Sequence, residues 1–166
     1  TRGIGFASLD AVEGNPTPGA VASMLFDPGL DFTSLDWLRR RWKGPILVKG
    51  ITTVGSAREV MERGADGVVV SNHGGRQLDR TAATLDVLPA IRAAVGQQAT
   101  VLIHGGIRHG QDIVAARALG ADAVMLGTAL ARADEAPGAG YHWGMEAVHE
   151  ASPRGDRAKV GTVGSL

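Results

Sequence analysis

Gly64-Ala65-Asp66-Gly67-Val68 returns as Gly120-Ala121-Asp122-Ala123-Val124, about 56 residues further on, at a distance that suits one repeated supersecondary unit. Each copy runs from a helix-like segment into a short apolar run. The glycine suits a left-handed helix C-terminus, and the run that follows is rich in β-branched residues. Repeats of this strand-helix-strand kind build (β/α)8 barrels from smaller units.

Two more apolar runs, Ile46-Leu47-Val48 and Val101-Leu102-Ile103, complete a set of four. None alternates with polar residues. Such runs predict strands buried on both faces, hence a parallel sheet. Between them lie segments with apolar residues at helical spacing: Val54, Ala57, Val60 and Met61 in 54–63; Leu85, Leu88, Ile91 and Val95 in 84–95; Ile113, Val114, Ala116 and Leu119 in 110–119. Gly64, Gly96 and Gly120 follow these segments. The order is β-α-β-α-β-α-β, an α/β chain. Four strands are half of a (β/α)8 TIM barrel, which usually takes about 250 residues. An open doubly wound sheet is the other arrangement, and it too gathers ligands at strand C-termini.

Ahead of the first strand, 33–42 predicts a helix capped by Thr33 or Ser34. Leu35, Leu38 and Trp42 lie on one face, and Arg39, Arg40, Arg41 and Lys43 form the polar face. The first 30 residues read as irregular, with Asn15-Pro16-Thr17-Pro18-Gly19 as a breaker cluster. The expected organisation is a half barrel over 1–133 and an irregular C-terminal extension over 134–166 that needs a partner surface.

Composition narrows the function. The 166 residues carry a formal net charge of zero, with 17 Lys and Arg against 17 Asp and Glu, which disfavours a polyanion-binding arm. Seven aromatic residues (three Phe, three Trp, one Tyr) offer no stacking platform for nucleic acid. The absence of cysteine excludes disulfides and thiolate ligands or nucleophiles. No apolar run is long enough for a membrane span. No histidine pair shares helical spacing with a carboxylate, so no metal is expected. No leader is visible at Thr1, and with the lack of cysteine this points to the cytoplasm.

In parallel α/β folds the chemistry gathers where the strands run out. The first strand ends in Lys49-Gly50, the second in Ser71-Asn72-His73-Gly74-Gly75-Arg76-Gln77, the third in His104-Gly105-Gly106-Ile107-Arg108 and the fourth in Gly127-Thr128. Cations and flexible glycines converge, with no carboxylate among them. Glycine lets backbone amides approach an anion, and a helix N-terminus favours negative charge. A phosphate between the third and fourth of these loops, with Arg108 as charge partner, matches the common barrel phosphate site. His73 can take a proton near neutral pH, and Arg76 can fork onto a carboxylate. The implied substrate carries a carboxylate near an acidic hydrogen.

Ile46-Leu47-Val48-Lys49-Gly50 together with Ser71-Asn72-His73-Gly74-Gly75-Arg76-Gln77-Leu78-Asp79 resembles the FMN-dependent α-hydroxy acid oxidases and dehydrogenases, which act on lactate, glycolate or mandelate. Gly105-Gly106-Ile107-Arg108, Gly110, Asp112 and Ala118-Leu119-Gly120 continue the likeness, which covers roughly 6–127, the C-terminal half of that family's barrel. The resemblance implies FMN as cofactor and an L-2-hydroxy acid oxidised to a 2-oxo acid. It implies that Lys49 stabilises the reduced ring, that His73 is the base and that Arg76 holds the substrate carboxylate. Ser71 would lie near the ring, and Gly106, Arg108 and Gly127 would hold the phosphate, with His104, Gly105 and Thr128 beside them.

This sequence departs from the family pattern at three places. His104 stands where the family has Asp, and Thr128 where it has Arg. From about residue 128, Thr128-Ala129-Leu130-Ala131-Arg132-Ala133, Gly140-Tyr141-His142-Trp143-Gly144-Met145 and Val160-Gly161-Thr162 look like the ending of IMP dehydrogenase-related proteins. Two other functions therefore stay open, an IMP dehydrogenase-like nucleotide-binding barrel and a non-catalytic phosphate-binding or assembly module. A half barrel leaves two strand edges open. It is expected to form a homo-oligomer or to need a complementary half-barrel, with little turnover alone.

Overall fold

The computed structural model of the chain describes residues 29–75, 78, 80–138, 140–143, 157–159, 161 and 162. Helix α1 (Thr33–Arg41) leads into strand β1 (Leu47–Ile51), α2 (Val54–Glu62) and β2 (Gly67–Ser71). A 3-10 turn (His73–Gly75), α3 (Thr84–Val95), β3 (Thr100–His104), α4 (Gly110–Ala118), β4 (Ala123–Met125) and the single turn α5 (Thr128–Ala131) follow. The entrances of α1 and α2 are closed by nearby side chains. Thr53 Oγ1 accepts the Ser56 N–H at 3.1 Å. At α1 the cap differs from the expected Thr33 or Ser34, both of which lie inside the helix. Asp31 Oδ1 accepts the Thr33 N–H at 2.8 Å and its hydroxyl at 2.5 Å.

The sheet is parallel, in the order β1-β2-β3-β4. Neighbours in space are neighbours in sequence. A doubly wound sheet reverses its order at a switch point, and this one does not, so the arrangement is that of a barrel segment. Lys49 pairs with Val69, Val69 with Leu102, and Leu102 with Ala123. Ser71, His104 and Met125 form a row closer to the strand C-termini. Gly50, at φ +99°, is the extra residue where β1 shifts register against β2.

The core lies between the sheet and its helices. Val68, Val70, Val101 and Ile103 point to that side and meet Ala57, Val60, Leu88, Ile91 and Ala116, all buried. By alternation, Leu47, Lys49, Val69, Ser71, Leu102, His104 and Met125 take the opposite side, the inside of a barrel. Only β2 is buried throughout. The expectation of burial on both faces fails for the outer strands. Leu47 is 42% and Met125 37% exposed, because four strands do not enclose the inner side.

The repeated Gly-Ala-Asp has a structural purpose. Asp66 Oδ2 accepts the Ile46 N–H at 2.8 Å and meets Arg39 Nη1 at 3.0 Å, while Arg39 also donates to the carbonyls of Gly64, Gly44 and Trp42. Asp122 Oδ2 accepts the Val101 N–H at 2.7 Å and meets Arg92 Nη2 at 2.5 Å, while Arg92 donates to the carbonyls of Gly120, Gly96 and Ala99. Each clamp ties the entrance of one strand to the loop before another, at the end of the sheet opposite the strand C-termini. Arg39 is therefore a clamp and not part of a solvated polar face. In the region beyond 133, Tyr141–Trp143 (β5) and Arg157–Lys159 (β6) pair antiparallel.

Candidate active site at the strand C-termini

Parallel strands put all four C-terminal ends on one edge of the sheet, and there the chemistry-bearing side chains collect. Lys49 is exposed on the inner face of β1. Ser71 and His104 end β2 and β3 and are register partners. Ser71 Oγ lies 2.9 Å from His104 Nδ1 and accepts the His73 N–H at 3.1 Å. His73, Gly74 and Gly75 all have positive φ, at 58°, 69° and 72°. A left-handed conformation is unfavourable for a residue with a Cβ, so His73 is held there by its surroundings. Asn72 supplies a second tie, its carbonyl and Oδ1 both accepting the Gly75 N–H, at 3.0 and 3.2 Å.

The loop after β3 lies against this turn. A Cβ at Gly105 would meet Asn72 Oδ1 at 3.5 Å and the Gly74 nitrogen at 3.8 Å. Gly105 and Gly106 have φ of 104° and 77°, which other residues rarely adopt. Asp112 Oδ2 then accepts the N–H groups of Arg108 and His109, each at 2.8 Å. Those two bonds, the Arg108 N–H first, hold the Asp112 carboxyl below the usual carboxylate range. The sequence suggested the entrance of this helix as an anion site, and Asp112 engages the two amides just ahead of the helix, those of Arg108 and His109. The loop offers an anion the exposed Arg108 side chain and the surface around Gly106, where a Cβ would project into open space. Gly127, just before Thr128 and α5, is equally open. At four residues α5 is too short for a substantial dipole, so Thr128 and its neighbours act through individual groups.

Nine of the ten residues named from the sequence thus lie on or beside one rim: Lys49, Ser71, His73, His104, Gly105, Gly106, Arg108, Gly127 and Thr128. Arg76 falls outside the described residues. The bond between Ser71 and His104 was missed. Its only signal in the sequence is that both residues directly follow an apolar run. Among the described residues no group of three His, Asp or Glu side chains comes together as a metal site. Open glycines flanked by exposed cations fit a phosphorylated, anionic cofactor.

Comparison with known proteins gives a consistent result. Residues 7–148 match the FMN-dependent dehydrogenase family. L-lactate dehydrogenase of Serratia proteamaculans (strain 568) is 50% identical over 113 residues, covering 68% of this chain and 30% of that protein. The Pectobacterium atrosepticum enzyme of the same name is 47% identical over 136 residues, covering 79% and 35%. Among solved structures, monotopic membrane protein (S)-mandelate dehydrogenase superposes with a TM-score of 0.66 at 44% identity, over 72% of this chain and 31% of that one. A mandelate oxidase gives 0.64 at 43%, over 69% and 34%. The chain spans about a third of the length of the curated relatives it matches. The family match continues to 148, past the break expected near 128, and the likeness of the tail to IMP dehydrogenase-related proteins finds no support.

Proposed function

Because this chain belongs to the FMN-dependent dehydrogenase family, we propose that its rim binds FMN and oxidises a small L-2-hydroxy acid to the 2-oxo acid, with His73 as the base. The observation that carries this reading is the turn at 73–75. His73 is a left-handed residue just past the C-terminal end of β2, its backbone N–H held by the buried Ser71, next to the glycine loop of β3.

Bound FMN supplies the two-electron acceptor. Arg108, with the open backbone at Gly106 and Gly127, would hold its phosphate, and Thr128 would add a hydroxyl. Lys49 would lend positive charge from β1 to the bound flavin. His73 takes the proton of the substrate 2-hydroxyl, and Arg76 grips the carboxylate two-pronged, which orients the substrate for that transfer.

The names of the relatives point to lactate or mandelate as substrate. Among the described residues no helix is long and apolar enough to cross a membrane. The exposed inner-face residues Leu47 and Met125 are to be covered by further barrel strands or by a second copy of the chain.

The test is titration of the purified chain with FMN, followed by quenching of flavin fluorescence. Saturable binding that weakens at least tenfold in Arg108→Glu supports the reading. Binding that is absent, or indifferent to the charge at 108, contradicts it.

A further inference from the structure

Ser71 is 2% exposed, so its hydroxyl must find its partners within the protein. Among the described residues its Oγ has two: the His73 N–H, which donates to it, and His104 Nδ1. A hydroxyl has one proton to give. The backbone N–H cannot receive it, which leaves His104 Nδ1 as the acceptor. The bond is then read as Ser71 O–H to a bare Nδ1, with the proton of the neutral ring on Nε2, because an Nδ1–H donating to the hydroxyl's second lone pair would leave the buried hydroxyl proton without an acceptor.

From this chain we infer that His104 is a positioning residue for His73: it orients the Ser71 hydroxyl, and the hydroxyl oxygen fixes the backbone of the left-handed turn that carries His73. Three observations meet here. Ser71 and His104 are register partners across β2 and β3, so the sheet sets their separation. His73 holds an unfavourable φ of 58°, which needs an external restraint. The loop after His104 packs on the same turn, through Gly105 against Asn72 and Gly74. Without an acceptor at position 104 the Ser71 hydroxyl loses its fixed orientation, and its lone pairs turn away from the His73 N–H. The imidazole then samples positions from which it misses the substrate hydroxyl. A displacement of about 1 Å in such a group can slow proton transfer on the order of a hundredfold.

The consequence for chemistry rests on the proposal that His73 is the base, but the geometry can be measured without turnover. In the 15N-labelled full chain, histidine ring spectra report which nitrogen of His104 is protonated, and amide spectra report the His73 N–H. We expect Nδ1 of neutral His104 to be unprotonated. Ser71→Ala and His104→Leu should both shift the His73 amide and speed its hydrogen exchange about tenfold, the effect of losing one backbone hydrogen bond. His104→Asn, which keeps an acceptor near the place of Nδ1, should restore the parent shift and exchange rate. Ser71→Ala is nearly isosteric and serves if His104→Leu does not fold. A proton on Nδ1 of neutral His104, or a His73 amide unmoved by Ser71→Ala, overturns the relay. Loss of the relay with His73→Gln still inactive removes the positioning role and keeps the base. A confirmed relay with His73→Gln still active removes the base and keeps the relay.

Discussion

Arg92 Nη2 meets Asp122 Oδ2 at 2.5 Å, and the same carboxylate oxygen accepts the Val101 N–H at 2.7 Å. One guanidinium and one carboxylate thereby join the end of α3, the entrance of β3 and the loop before β4. The Arg92 side chain is 8% exposed and Asp122 51%. Removal of the arginine would strand three carbonyls as well as the acid. Arg92→Ala is expected to cost about 1–3 kcal/mol, the cost of leaving buried carbonyls without a partner. Asp122→Asn should cost clearly less, because solvent screens the half-exposed carboxylate. Denaturant unfolding of the two variants checks the order, and an Arg92→Ala variant as stable as the parent would remove the clamp from the account.

Acid should weaken the fold through a defined set of groups. The Val101 N–H and then Arg92 hold the Asp122 carboxyl below its usual range, and the Ile46 N–H and then Arg39 do the same for Asp66. Asp112 is lowered by the Arg108 and His109 N–H groups, and Asp31 chiefly by the Thr33 hydroxyl. A carboxyl whose folded pKa lies below its unfolded value near about 3.9 stabilises fully above that value. It loses its contribution as pH falls through the folded pKa. Melting temperature is therefore expected to hold down to about pH 4 and to drop below it. A loss confined to the range above pH 5 would point to other groups.

Gly67 tests the tightness of the sheet at its entrance. A Cβ there would run into the Thr100 carbonyl oxygen and lie 2.7 Å from Leu47 Cδ2 and 2.8 Å from the Thr100 carbonyl carbon. Leu47 can rotate, but the Thr100 backbone is held in the ladder with β2. Gly67→Ala is expected to destabilise by about 1–3 kcal/mol, the usual cost of overpacking. Gly106→Ala meets no such obstacle, and its only handicap is the positive φ. Thermal melts of the two variants separate crowding from backbone strain.

Much of this was legible in the sequence because it depends on local patterns. The runs around Val48, Val69, Leu102 and Val124 form the four strands, and the segments between them form the helices, since period and end signals are both carried within a dozen residues. The rim was legible for a topological reason, as parallel strands must finish on one edge. What escaped depends on side chains far apart in sequence. Ser71 and His104 meet only through the register of β2 on β3. Arg39 resembles its neighbours Arg40 and Arg41 until the fold brings Asp66 beside it. The strands at Tyr141–Trp143 and Arg157–Lys159 are three residues each, too short for alternation to show.

The carboxylate role of Arg76 has a direct kinetic signature. A lysine keeps the charge but cannot form two parallel hydrogen bonds. Arg76→Lys should raise KM for the hydroxy acid about tenfold or more while leaving FMN affinity unchanged, as one well-placed bidentate contact is worth roughly that factor. Steady-state kinetics on the two proteins check this, and an unchanged KM would assign the substrate carboxylate to another group.

On the proposed function, His73 is the base on a flavin-binding rim. Anaerobic mixing of the FMN-loaded chain with L-lactate or mandelate, followed through visible flavin absorbance, tests it most directly. The parent should bleach, and His73→Gln should stay yellow with FMN bound and bleach slower by about 10²–10⁴-fold, the usual contribution of a general base. Equal bleaching rates in the two proteins would contradict the account.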